Sequence, residues 1–114
     1  MNIIVFINPT MQYIYTLEQE TAEEQMVQLS QRLKHRRLEK GLSRAALSQM
    51  SGVPAPTIAK FEQSHTIALS SFVALAQALG HIAEIKNLLS QPNYSTMEEL
   101  EIINSNKNRK RGRR

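Results

Sequence analysis

The stretch that most limits what this chain can fold into is residues 41–64, GLSRAALSQMSGVPAPTIAKFEQS. Ser43 is a residue type that caps a helix N-terminus, Leu47 and Met50 supply an inward face, and Gly52 falls where the chain must turn sharply. Val53 is placed to plug the turn from inside. Pro56 suits the first turn of a second helix, where its missing amide proton leaves no hydrogen bond unmade and its ring presets φ. Ile58 and Phe61, three apart, then face a core, while Thr57 and Lys60 face out. Small Ser48 and Gly52 lie four apart ahead of that apolar wedge, so two helices can cross closely. The spacing predicts a helix-turn-helix over residues 43–64; a helical hairpin inside an ordinary bundle is the plainer reading of the same pattern.

The flanking chain is helical in pattern too. Thr21 and Glu24 read as a capping box, followed by Met26, Leu29 and Leu33 on one face and by Lys40 and Gly41 at the end. After the motif, Phe72, Leu75, Ala76 and Leu79 form an apolar stripe closed by Gly80. The run HIAEIKNLLSQ carries Ile82, Ile85, Leu88 and Leu89 up to Pro92, a fifth helix whose apolar width suits either core packing or a dimer seam. Ser95 to Glu98 reads as a second capping box, opening a short helix with Met97, Leu100 and Ile103 on one side. Residues 3–7 and 13–15, β-branched or aromatic and separated by Asn8, Pro9 and Thr10, read as a short strand or hairpin. The competing reading is a leader whose true start is Met11 or Met26. The expected layout is therefore an N-terminal extension over 1–20, an all-α five-helix domain over 21–91, a short helix over 92–104 and a basic tail over 105–114.

Composition narrows the function. At 114 residues and 41% hydrophobic content the chain supports one small core. With no Cys, neither a disulfide framework nor a thiolate metal site can form. The three histidines, at 35, 65 and 81, are scattered and read as surface groups rather than metal ligands. The apolar opening MNIIVFI is too short to span a bilayer and lacks a basic leader, so the cytoplasm is the expected compartment and no membrane is implied. No Ser/His/Asp, Cys/His or paired-carboxylate pattern points to an enzyme, and no cofactor is expected.

The net charge of +4 is unevenly spread. Lys107, Arg109, Lys110, Arg111, Arg113 and Arg114 all lie in the last eight residues, in a stretch with no apolar side chain, which predicts a disordered tail that either grips phosphates or solubilises the chain. Between residues 26 and 64, seven basic side chains face only Glu39 and Glu62, so the motif sits in a positive field of its own.

From LKHRRLEKGLS to LSSFVALAQALG, residues 33–80, the chain resembles the Xre family of Cro and cI repressor-like DNA-binding domains. The resemblance implies that the second helix of the motif lies in the major groove of a double-stranded operator and that the first crosses the backbone. It implies base-facing roles for Ala55, Pro56, Thr57 and Lys60, and phosphate contacts for Ser43, Arg44 and Gln63. Arg37 and Glu62 match a pair bridging the first helix to the recognition helix. Where family members often carry Gln, Arg or Ser, this chain has Pro54, Ala55 and Pro56, which leaves base reading to Lys60, Thr57 and methyl contacts with thymine.

The layout after Gly80, together with TIAKFEQS and the terminal Arg/Lys cluster, is similar to HipB-type antitoxins encoded beside HipA-type serine/threonine kinases. This implies a homodimeric repressor of its own toxin-antitoxin operon, with a HipA-like kinase as protein partner. A free-standing phage-type regulator, and a protein-interaction module that modulates a partner with DNA binding secondary, are the alternatives.

Overall fold

The computed structural model describes residues 20–112, and among them every regular element is a helix. In chain order these are α1 (Ala22–Glu39), α2 (Arg44–Ser51), α3 (Ala55–Ser64), α4 (Leu69–Ala78), α5 (Ile82–Asn87) and α6 (Met97–Asn106). The strand or hairpin expected at residues 3–7 and 13–15 lies outside the described residues. The chain divides into two compact units after Ile82.

In the first unit each helix starts and stops on local chemistry. Thr21 Oγ1 accepts from the Glu24 amide at 3.1 Å, and Glu24 Oε1 accepts from the Thr21 amide at 2.7 Å, which satisfies two of the free donors at the start of α1. Ser43 Oγ accepts from the Ala46 amide at 3.0 Å at the start of α2. Helix α3 has no side-chain cap; the Pro54 carbonyl accepts from the Thr57 and Ile58 amides at 2.9 and 3.2 Å, and Pro56 sits in the first turn. Gly52, at φ 81°, ends α2 and donates its amide to the Ser48 carbonyl at 2.8 Å, which directs the chain straight into α3.

These short helices stop being marginal because they share one apolar cluster. Leu47, Ile58, Phe61 and Leu75 are fully enclosed, with Leu33, Val53 and Leu79 nearly so, and Met26, Leu29, Leu42, Ile67 and Phe72 pack against them. Phe61 and Phe72 meet edge to face with centroids 5.8 Å apart, an arrangement that contributes about 0.5–1.5 kcal/mol beyond area burial. Packing brings α3 against both α1 and α2, and α2 against α4.

One inward residue was misplaced by the sequence reading. Met50 is 53% exposed, because α2 ends at Ser51 and Val53, after the turn, is the residue that closes the core.

The second unit is less enclosed, with no fully buried side chain on α5 or α6. Helix α5 stops at Asn87 instead of continuing toward Pro92. The Asn87 carbonyl accepts from the Ser90 amide at 3.2 Å and the Ser90 hydroxyl at 2.9 Å, and Leu89 turns left-handed at φ 56°. The cap of α6 lies one residue later than expected: Thr96 Oγ1 accepts from the Glu99 amide at 3.1 Å, and Glu99 Oε1 accepts from the Ser95 and Thr96 amides at 2.6 and 3.2 Å. These hydrogen bonds, that from Ser95 foremost, hold the Glu99 carboxyl below the usual carboxylate range. The helix also continues to Asn106, past the expected break near Asn104, with Ser105 Oγ donating to the Ile102 carbonyl at 2.9 Å.

Gly52 offers a clean measure of the turn. No atom lies within 4 Å of where a Cβ would stand, so the cost of Gly52→Ala is the left-handed backbone alone. We expect a loss of about 1–2 kcal/mol in denaturant unfolding, without a change in the slope against denaturant.

Candidate nucleic-acid interface

Helix α3 has two chemically distinct faces. Ile58, Phe61 and Glu62 point into the fold, whereas Pro56, Lys60 and Gln63 are exposed and Ala55 and Thr57 half-buried. Pro56 and Lys60 are one turn apart, with Thr57 beside them, so the outward face is narrow and carries a single formal charge, that of Lys60.

The inward face is anchored by a buried carboxylate. Glu62 Oε2 accepts from Arg37 Nε at 2.8 Å, and Oε1 accepts from Arg37 Nη2 at 2.9 Å and from Arg44 Nε at 3.0 Å. Arg37 Nη1 donates to the Leu42 carbonyl at 2.8 Å. Arg37 and Glu62 are only 6% and 9% exposed, yet no buried side-chain nitrogen or oxygen among the described residues lacks a partner. Burial by itself would raise the Glu62 carboxyl; the hydrogen bonds from Arg37 and then Arg44, with their positive charges, outweigh it and hold the group below its ordinary value.

The link from Arg44 to Glu62 was not read from the sequence. It spans 18 residues and changes the role given to Arg44, whose Nε is committed inward while its side chain remains 33% exposed. Arg44 thus has terminal nitrogens to offer a phosphate from a fixed base. Ser43 is exposed, and its oxygen is already taken by the Ala46 amide, which leaves the hydroxyl hydrogen as a donor.

A second long-range contact was also missed. Ser30, fully buried on α1, lies 2.7 Å from the Val27 carbonyl and 2.7 Å from His65 Nδ1. With the hydroxyl hydrogen on the Val27 carbonyl, His65 is the donor of the other bond. His65 is therefore no simple surface group: it ends α3 in a left-handed conformation at φ 64° and donates its amide to the Phe61 carbonyl at 2.8 Å. A pairing 35 residues apart leaves no local trace in a sequence. The loop that follows closes a shallow, solvent-open hollow lined by Pro56, Thr57, Lys60, Thr66, Ile67 and Ala68.

In the second unit, Lys107, Arg109, Lys110 and Arg111 are all exposed, and none has an ion-pair partner among the described residues. Arg113 and Arg114 fall outside the described residues. No group of three or more His or acidic side chains among the described residues is placed to hold a metal ion, and no helix among them is long and apolar enough to cross a membrane.

Two short helices meeting at a glycine turn, the second locked into the core on one face and turned outward on the other, have the arrangement of a helix-turn-helix. Residues 33–85 match the family model described as helix-turn-helix, the Xre or Cro/cI-like type. Neither the curated proteins nor the solved structures gave a match.

The Arg37–Glu62 link should behave as a coupled pair. Arg37→Ala and Glu62→Ala are each expected to cost about 3–5 kcal/mol, and the double variant less than their sum, in a thermal-denaturation cycle. Because the folded Glu62 carboxyl sits below its ordinary value, its contribution is complete above about pH 4.3 and is lost as pH falls through the lower folded value. Glu62→Gln should therefore flatten the acid limb of the stability profile.

Proposed function

We propose that this chain is a sequence-specific transcriptional repressor that grips a palindromic operator as a homodimer, one α3 entering the major groove at each half-site. The observation that carries this reading is the two-faced α3: its inner side is tied to Arg37 and Arg44 through Glu62, and its outer side presents Pro56, Thr57, Lys60 and Gln63. The positive excess between residues 26 and 64 favours a polyanion on that side. Arg44, Ser43 and Gln63 serve phosphates in this scheme, while Ala55, Pro56, Thr57 and Lys60 meet base edges. The exposed apolar side chains Leu88, Leu89, Tyr94, Met97 and Ile102 favour a second copy, or another protein, as the cover for the second unit.

The role we assign within this class is that of antitoxin and autoregulator of a HipBA-like operon, acting in the cytoplasm by binding rather than catalysis, with a HipA-like serine/threonine kinase as partner. It rests on the sequence layout after Gly80 and on the unpartnered apolar and basic surfaces of the second unit. Selection from a random duplex pool, followed by footprinting on DNA upstream of the gene, tests the repressor reading. Pull-down with the product of the adjacent reading frame tests the antitoxin role. Capture of a partner without any enriched DNA sequence would instead favour an interaction module.

Lys60→Ala is expected to weaken operator binding by about 1–3 kcal/mol and to relax preference at one base position, measured by footprint titration. Residues 107–114 carry six positive charges and no apolar side chain, and contacts to phosphate hold no sequence information, so removing them should weaken operator and random DNA alike. With all six charges on phosphates, the slope of log K against log salt falls by roughly 5, at about 0.9 per contact. An unchanged slope on truncation would place the tail on protein instead.

A further inference from the structure

Helix α6 is well formed at its start yet weakly supported. Its capping box is complete, with Ser95 as an added donor, but α5 does not pack closely against it and none of its side chains is buried. A ten-residue helix left to itself is marginal in water, so a surface that covers it supplies much of its stability. Leu100, Ile103 and Asn106 are half-buried and share one side. The opposite side is open: Met97, Glu101 and Ser105 form one row at four-residue spacing, Glu98 and Ile102 form the row beside it, and all five are exposed.

The charges along this segment are sorted by sign. From Met97 to Asn106 every charged residue is an acid, Glu98, Glu99 and Glu101, and from Lys107 to Arg111 every charged residue is a base. Glu99 serves the cap, and the helix dipole accounts for an acid in the first turn. Neither accounts for Glu101, which lies past that turn, or for Lys107 and Arg109, and none of these has an ion-pair partner among the described residues. A basic protein surface answers the acids and leaves the bases unmet, while DNA answers the bases and repels the acids. A helix with the same order of charges, laid antiparallel, answers both, and a second copy of α6 is such a helix.

We propose that α6 pairs with the α6 of a second copy, antiparallel about a twofold axis close to Ile102. Ile102 packs on its own counterpart, the small Ser105 lets the helices approach, and Glu98 and Glu101 of each copy lie against Lys107 and Arg109 of the other. This rests on the reading that the chain acts as a homodimer, and it names the seam. Two of the tail's six charges are thereby committed to protein, and the other four stay available to phosphate. Each α6 is about 15 Å long, too short to supply the roughly 800 Å2 per partner of a standard interface. The pairing is therefore weak in free solution and strengthens when one palindrome holds two copies side by side.

The chain contains no cysteine, so introduced thiols report the geometry without background. In the full chain, Met97→Cys mixed with Asn108→Cys should cross-link through a short bismaleimide, more so on the duplex the protein selects, whereas Met97→Cys alone should not. Glu98→Lys combined with Glu101→Lys should weaken self-association about tenfold or more in sedimentation equilibrium. Mixing that variant with one carrying Lys107→Glu and Arg109→Glu should restore the dimer, a rescue that two misfolded chains could not give each other. The proposal is overturned if Met97→Cys links to itself, if the mixed copies fail to link, or if a dimer ignores both charge reversals; the homodimer then stands with its seam elsewhere. A chain that stays monomeric at high concentration and on the selected duplex removes the homodimer itself, and the seam with it.

Discussion

The Glu62 carboxylate is the point on which the first unit turns. It belongs to α3, and its two oxygens are divided between Arg37 of α1 and Arg44 of α2. Enclosing a charge costs several kcal/mol, and the mutual attraction of a buried pair offsets this only when the remaining hydrogen-bonding groups are met. Here they are met, down to the Arg37 Nη1 bond to the Leu42 carbonyl. Such a cluster adds little net stability compared with an apolar replacement, but it constrains direction. Leu47, Ile58 and Phe61 make non-directional contacts, whereas the charge cluster holds only while its donors and acceptors keep their narrow range of distance and angle.

That constraint links folding to recognition. A helix that reads base edges must hold its outward residues in register with the groove, and phosphate contacts are what set the register. In the proposed repressor Arg44 would take part in both tasks, with Nε bonded to Glu62 and its side chain partly exposed. Three residues past Glu62, His65 and Ser30 pin the exit of α3 to α1. The last turn of α3 is thus tied to α1 at two points, Glu62 to Arg37 and His65 to Ser30.

How much of this was legible in the sequence depended on the range of the interaction. The caps at Thr21 and Ser43, the turn at Gly52 and the apolar contacts of Leu33, Leu47, Ile58, Phe61, Leu75 and Leu79 follow from rules acting within four residues or from helical periodicity, and these were read correctly. The α6 cap was ambiguous, because Ser95 with Glu98 and Thr96 with Glu99 are equally good boxes on paper; geometry chose the second and used Ser95 as an added donor. The end of α5 was misread for a related reason: Leu88 and Leu89 continue the apolar period, and nothing in it reports that Ser90 takes the Asn87 carbonyl. The Arg37–Glu62 link came from family resemblance, while Arg44–Glu62 and Ser30–His65 have neither period nor spacing to betray them.

Two left-handed residues bring out the difference between the units. A non-glycine residue in that conformation costs roughly 1–2 kcal/mol, and it persists where the surroundings hold it. For His65 the holding groups are visible: a buried hydroxyl on its ring and the Phe61 carbonyl on its amide. Leu89 has the same kind of backbone, but its side chain is 99% exposed and buries nothing in return. The neighbouring Leu88 is open as well, and α6 leaves Met97 and Ile102 in the same condition. A strained backbone that displays an apolar side chain is favoured only if burial elsewhere repays it, at about 25 cal/mol per Å2 of apolar surface covered. The first unit encloses a core of its own although Leu38, Met50 and Leu69 remain exposed, whereas the second encloses no side chain on α6 and leaves Leu88, Leu89, Met97 and Ile102 open, which is why the proposed protein contacts are assigned to this unit rather than to α3.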